Sequence, residues 1–234
     1  MLDFQPWDEL LKQYVDSQGK INYQAWKAHS KQKLTNWLEQ LASIDPQKYT
    51  DPNQQLALWI NLYNALVIDR VLEKYPIDSI FPKFLGVPNP IAFLRFFSRR
   101  VYKIGDRDYS LNNIEHGIIR QQFNEPRIHF ALVCAAVGCP LLRNEAYFPE
   151  KLPTQLYEDA KRFINNPDKV HYNLETNTLY CSQIFKWYGK DFLKVANSLP
   201  EYFQTYLSSQ VELNSSTSIR YLDYDWNLNQ RISS

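Results

Sequence analysis

A long apolar helical pattern bracketed by two prolines constrains this chain most. Between Asp51-Pro52 and Pro76, the residues Leu58, Trp59, Leu62, Tyr63, Leu66, Val67 and Val71 recur at helical spacing. The spacing predicts a helix over residues 54–75 that stops before Pro76, because proline disfavours the α conformation in the residue ahead of it. Earlier in the chain, Trp7, Leu10, Leu11 and Tyr14, then Leu34, Trp37, Leu38 and Leu41, recur in the same way, so residues 3–45 read as helical. The loop 43–53, with Asp45-Pro46 and Asp51-Pro52, separates the two parts.

Beyond Pro76 the pattern changes. Residues 77–97 are rich in Phe and punctuated by Pro82, Pro88 and Pro90; they read either as a lid or partner-binding flap, or as an ordered cover over the core. Residues 101–107 read as a hairpin arm turning at Gly105-Asp106. Ser110 is a good N-cap for a helix from Leu111 to about Phe123. The apolar, β-branched run from Arg127 to Cys134 reads as a strand, and Cys139-Pro140 opens either a turn or a helix. A helix over 153–165 is followed by a strand pair, 170–174 and 178–181, around the turn Glu175-Thr176-Asn177. A helix capped by Ser182, another over 200–207 and a late strand at 219–224 complete the pattern, which has no internal repeat. The expected fold is α+β: a single, mostly helical domain around a small antiparallel sheet. Residues 1–50 form a helical extension packed on a core domain spanning 51–234.

Composition narrows the function. Apolar residues make up 44% of the 234, ample for a core, and a net charge of +1 argues against nucleic acid as the main partner. The basic run Arg95–Arg100 suits either an anionic surface or a solvated rim around an apolar anchor. No stretch approaches the roughly 20 apolar residues of a transmembrane helix. The N-terminus lacks the basic start and apolar run of a signal peptide. Three cysteines, an odd number, then read as reduced thiols in a cytoplasmic protein. With six glycines and no Gly-rich phosphate-cradling loop, no cofactor is expected. Oligomeric state is not legible.

The candidate chemistry concentrates in a few places. Within residues 127–140 lie His129, Cys134 and Cys139. Cys139 is the nucleophile candidate, since a helix opening at Cys139-Pro140 would place its thiol at the positive end of the dipole and lower its pKa. On the capped helix, His116 and Arg120 lie four apart on one face. Glu115 points about a hundred degrees away and cannot orient His116 directly. In the 54–75 helix, Asn61 and Asn64 share a face beside Trp59. They either serve a catalytic group or substrate, or form a structural network that holds an adjacent loop. A zinc site could gather His116, His129, Cys134 and Cys139, but on a regular strand His129 and Cys134, five apart, face opposite sides, so no metal is assigned.

Five motifs resemble the domain-of-unknown-function family numbered 547 (DUF547): residues 58–66, 110–120, 127–134, 138–143 and the ending 221–229, Tyr-Leu-Asp-Tyr-Asp-Trp-Asn-Leu-Asn. The resemblance spans about residues 50–229 and implies a shared fold without naming a reaction. It favours Asn61, Asn64, Glu115, His116 and Arg120 as a shared site. The leading reading is a thiol- and imidazole-dependent acyl transferase or amide hydrolase of papain-like or transglutaminase-like general character. Cys139 would be nucleophile, His116 base, Glu115 or Asn64 orienter and Asn61 an oxyanion donor, with Arg120, His129 and Trp59 binding a small molecule or peptide. The alternative is a non-catalytic binding or scaffold domain with a buried polar network, and a zinc enzyme stands third.

Overall fold

A computed structural model describes residues 3–84, 87–99, 102–208 and 211–231. Three helices open the chain: α1 (Gln5–Tyr14), α2 (Tyr23–His29) and α3 (Lys31–Ala42). Pro6 sits in the first turn of α1, where a missing N–H costs nothing, and the Asn22 side chain caps α2 by accepting from the Ala25 N–H. Their indoles interlock: Trp7 stacks on Trp37 at 5.7 Å between ring centres, and Trp26 lies 5.9 Å from Trp7 and 5.0 Å from Tyr14.

After a 3-10 turn (Pro46–Lys48) comes α4 (Pro52–Lys74), capped by Asp51, which accepts from the Gln54 N–H. Every residue of α4 from Leu56 to Leu72 is buried, including Asn61, Asn64, Asp69 and Arg70. A helix buried on all faces is a central rod rather than a surface element. Helices α2 and α3 pack on it, as does the 113–119 helix, and α1 packs on α2 and α3.

Within the Phe/Pro segment, β1 (Lys83–Phe84) pairs antiparallel with β2 (Val87–Pro88), and α5 (Pro90–Ser98), capped by Asn89, follows. Of the basic run, Arg100 lies outside the described residues, as does Val101 of the expected arm. The arm itself is present as β3 (Tyr102–Ile104) and β4 (Arg107–Tyr109), turning at Gly105 with φ +58°. The Ser110-capped helix follows, but its middle, Asn113–Ile119, is a π-helix that ends in one α turn, α6 (Arg120–Gln122).

The expected strand over 127–134 is absent. Pro126 fixes the first turn of a 3-10 helix, Pro126–Phe130, whose cap is Glu125 accepting from the Arg127 N–H. Just beyond it, the Asn64 amide takes the Ala131 carbonyl and the Val133 N–H. Residues 134–141 are turns and loop, so no helix begins at Cys139-Pro140.

The remaining chain builds a second apolar centre. It comprises α7 (Leu152–Ile164), β5 (Val170–Asn173), β6 (Thr178–Cys181), α8 (Ile184–Trp187), α9 (Gly189–Phe192), α10 (Leu199–Gln204) and β7 (Ser218–Tyr221). Strands β5 and β6 are antiparallel, while β7 lies parallel to β6, pairing Leu179 with Ile219. The class is α+β as expected, but among the described residues the strands form separate small sheets, and the largest is mixed, with β7 parallel to β6. Phe130, Phe185, Phe192 and Phe203 pack this second centre, and Tyr224 touches both.

Candidate functional site

A cleft of about 460 Å³ runs along the seam between the two apolar centres. Phe93, Phe97, Trp187, Tyr188, Tyr224 and Trp226 supply its aromatic walls, and Glu115, His116, Arg120, His129 and the Cys134–Cys139 pair its polar surface.

The π-helix gathers three of those groups. The Arg120 N–H reaches back five residues to the Glu115 carbonyl, and the widened turn lets Glu115, His116 and Arg120 all reach the cleft. Glu115 is 9% exposed and accepts hydrogen bonds from Tyr63 Oη at 3.0 Å and Tyr188 Oη at 2.6 Å. Burial, reinforced by Glu115, pushes both phenol pKa values well above their ordinary range, so both hydroxyls stay donors. Glu115 lies 3.8 Å from His116 Nε2, too far for a hydrogen bond.

Arg120 joins two imidazoles through one carboxylate. Its Nη1 donates to His116 Nδ1 at 2.9 Å and its Nε to Asp191 Oδ2 at 2.6 Å, and its guanidinium lies over the Tyr188 ring. A guanidinium can only donate, so the neutral His116 ring carries its proton on Nε2. His129 Nε2 lies 2.9 Å from the same Asp191 oxygen, and its ring stacks on Tyr188 at 3.8 Å. Burial lowers the His129 pKa against the opposing pull of Asp191. Hydrogen bonds from His129, then Arg120 and Lys194, overcome desolvation and hold the Asp191 carboxyl far below its usual range. The ring is therefore neutral near pH 7, donating Nε2–H to a carboxylate and leaving Nδ1 as a lone pair.

Cys134 and Cys139 are joined in a disulfide, and only Cys181, buried beside β7, is free. This corrects the reading of three reduced thiols. Burial pushes the Cys181 thiol up to about 12, as befits a plain core residue. Two donors converge on Cys139 Sγ, the Cys134 N–H at 3.1 Å and Tyr224 Oη at 3.1 Å. Tyr224 is placed by the chain's last segment, which pairs with the cysteine loop through Gly138 N–H to Asp225 O and Val137 N–H to Asn227 O. A Cβ on Gly138 would come within 2.8 Å of the Tyr224 ring, so only glycine permits that approach.

The other sequence candidates lie elsewhere. Asn61 donates to the Tyr147 carbonyl and accepts from the Tyr147 N–H; Asn64 does the same for Ala131 and Val133. Trp59 is buried against Tyr109. None of the three lines the cleft. Asp191, Tyr188 and Tyr224, which the sequence did not single out, contact His129 and Cys139: Asp191 and Tyr188 meet the imidazole and Tyr224 the sulfur. Among the described residues no three His, Cys, Asp or Glu side chains are grouped to hold a metal.

The model of a family described as a protein of unknown function, DUF547, matches residues 46–164, more than half of the chain. The chain belongs to the DUF547 family. No curated protein and no solved structure matches it. The DUF547 match takes in α4, the π-helix, His129 and both bridged cysteines, and ends at the last residue of α7. The ending 221–229, which carries Tyr224, lies beyond the matched segment, as do Tyr188 and Asp191. No helix among the described residues is long and apolar enough to cross a membrane.

Proposed function

We propose that this DUF547 protein is a cysteine-dependent acyl transferase or amide hydrolase that works with Cys134–Cys139 reduced. The observation that carries the reading is a buried imidazole, bonded to a carboxylate at Nε2, that lines the same cleft as a sulfur with two hydrogen-bond donors. Nucleophile, base and orienting carboxylate are the parts such chemistry needs.

A dithiol supplies two electrons and two protons to open the disulfide. Cys139 then gives its proton to His129 Nδ1, and its sulfur bonds to the substrate carbonyl carbon. The C–N or C–O bond breaks as the imidazolium returns the proton to the leaving amine or alcohol. Water or an amine releases the acyl group from sulfur by the same route. His129 thus takes the role that sequence spacing gave to His116, because Arg120 occupies His116 Nδ1. His116 Nε2–H and Arg120 are donors for a carbonyl or carboxylate on the substrate, and the aromatic walls suit its apolar part. Glu115 braces Tyr188 under the His129 ring, and Asn61 and Asn64 hold the loops in place.

The test is acylation by a 4-nitrophenyl ester, followed by mass spectrometry. Label is expected on Cys139 after treatment with dithiothreitol and not before, and it is expected to vanish in His129→Ala. A reduced protein that stays unlabelled at Cys139 overturns the reading. A binding module is the second reading, favoured by the burial of Cys139, 2% exposed, and by the satisfied amides of α4.

A further inference from the structure

The lip of the cleft carries an apolar and cationic surface that acyl transfer does not use. Val87 on β2 and Ile91 and Leu94 on α5 are 66%, 63% and 62% exposed. Ile91 and Leu94, three apart, share a helix face, and Leu94 also lines the cleft. Arg95 lies one turn from Ile91, Arg99 follows at the end of α5, and both are exposed. Neither is held in an ion pair among the described residues. Between Asp78 and Asp106 the sequence has Lys83, Arg95, Arg99, Arg100 and Lys103, and no Asp or Glu. On α8, Trp187 repeats the theme: it lines the cleft, is 46% exposed, and lies beside exposed Lys186.

We infer that α5 and β2 form an interfacial foot that seats the mouth of the cleft on an anionic membrane surface. The aliphatic side chains enter the boundary between headgroups and acyl chains, while the flanking arginines meet lipid phosphates. Charge decides between this occupant and a second copy of the chain. A two-fold contact through this face would set Arg95 and Arg99 against the same arginines, with no Asp or Glu between Asp78 and Asp106 to answer them, whereas an anionic bilayer neutralises them. A cleft opening at the foot would take amphiphilic molecules directly from the bilayer. The surface role stands whether or not Cys139 is a nucleophile.

Flotation of the full chain with vesicles tests it, comparing pure phosphatidylcholine with phosphatidylcholine containing phosphatidylglycerol at low and high salt. Binding is expected on the anionic vesicles only and is expected to weaken with salt. Arg95→Glu with Arg99→Glu is expected to reduce partitioning by roughly thirtyfold or more, since each surface cation contributes about fivefold. Ile91→Glu with Leu94→Glu is expected to abolish it. All four side chains are exposed, so thermal unfolding midpoints are expected to stay at the wild-type value and exclude misfolding as the cause. Equal partitioning by wild type and both double variants overturns the inference. So does a wild-type dimer in light scattering that Ile91→Glu with Leu94→Glu dissociates, for then a second copy covers the patch.

Discussion

Asn64 and His129 are both polar and both buried, 2% and 4% exposed, and both sit at the Pro126–Val133 segment. Their hydrogen bonds set them apart. The Asn64 amide is closed, with its Nδ2 on the Ala131 carbonyl and its Oδ1 on the Val133 N–H. His129 is closed at Nε2 by the Asp191 carboxylate, has no hydrogen-bond partner at Nδ1 among the described residues, and lines a cleft. A buried polar group whose partners are all main-chain atoms holds structure; one that keeps a lone pair without a partner and lines a cleft can do chemistry. Burial and residue type alone do not separate the two, and the hydrogen-bond inventory does.

The largest effect that could break this contrast is on stability. Asn64→Ala leaves a buried carbonyl and a buried N–H without partners and is expected to destabilise by about 2–4 kcal/mol in urea unfolding. A near-neutral Asn64→Ala would place Asn64 among functional rather than structural groups. Gly138→Ala comes next, at about 1–3 kcal/mol, because the added methyl must move the Tyr224 ring or the paired tail. Reduced Gly138→Ala is also expected to alkylate more slowly at Cys139, having lost the Tyr224 donor.

A smaller effect appears as pH dependence. Burial lowers the His129 pKa below the ordinary value of about 6.5, so on acidification the unfolded chain takes up this proton before the folded one. The His129 contribution is therefore present above that pH and is lost as pH falls through the window below it. Urea midpoints measured from pH 8 to pH 5 should fall less steeply in His129→Asn than in wild type. An equal or steeper fall would mean the folded ring is already charged. Smallest of all, Ala135 holds φ +66° beside the disulfide, and Ala135→Gly is expected to stabilise by less than about 1 kcal/mol as backbone relief outweighs added chain entropy.

Much of the framework was legible because it rests on local signals. The prolines and the apolar spacing placed α4, Gly105-Asp106 placed the arm, and residues 175–177 placed the turn between β5 and β6. The four-residue spacing brought His116 and Arg120 into contact as expected. What failed was non-local. The 127–134 run has strand-like composition, but Pro126 and the Asn64 amide, sixty-odd residues upstream, decide its conformation. Asp191 is a lone acid between Lys190 and Phe192, with nothing in its neighbourhood to tie it to His129. Tyr188 and Tyr224 are two of sixteen tyrosines. The π turn at Asn113–Ile119 leaves no mark in a sequence that satisfies an ordinary helix. An odd cysteine count favoured free thiols, yet a bridge of Cys134 with Cys139 leaves Cys181 as the odd residue in the core.

The most direct measurement is the pH dependence of Cys139 alkylation by iodoacetamide in the reduced protein, read by mass spectrometry in wild type and Asp191→Asn. The expected wild-type profile has an apparent pKa well below the free-cysteine value of about 8.5. Asp191→Asn, which removes the carboxylate that fixes the His129 proton on Nε2, is expected to raise it toward that value. Identical profiles near the free value would contradict the assignment of His129 and Asp191 as the groups that activate Cys139.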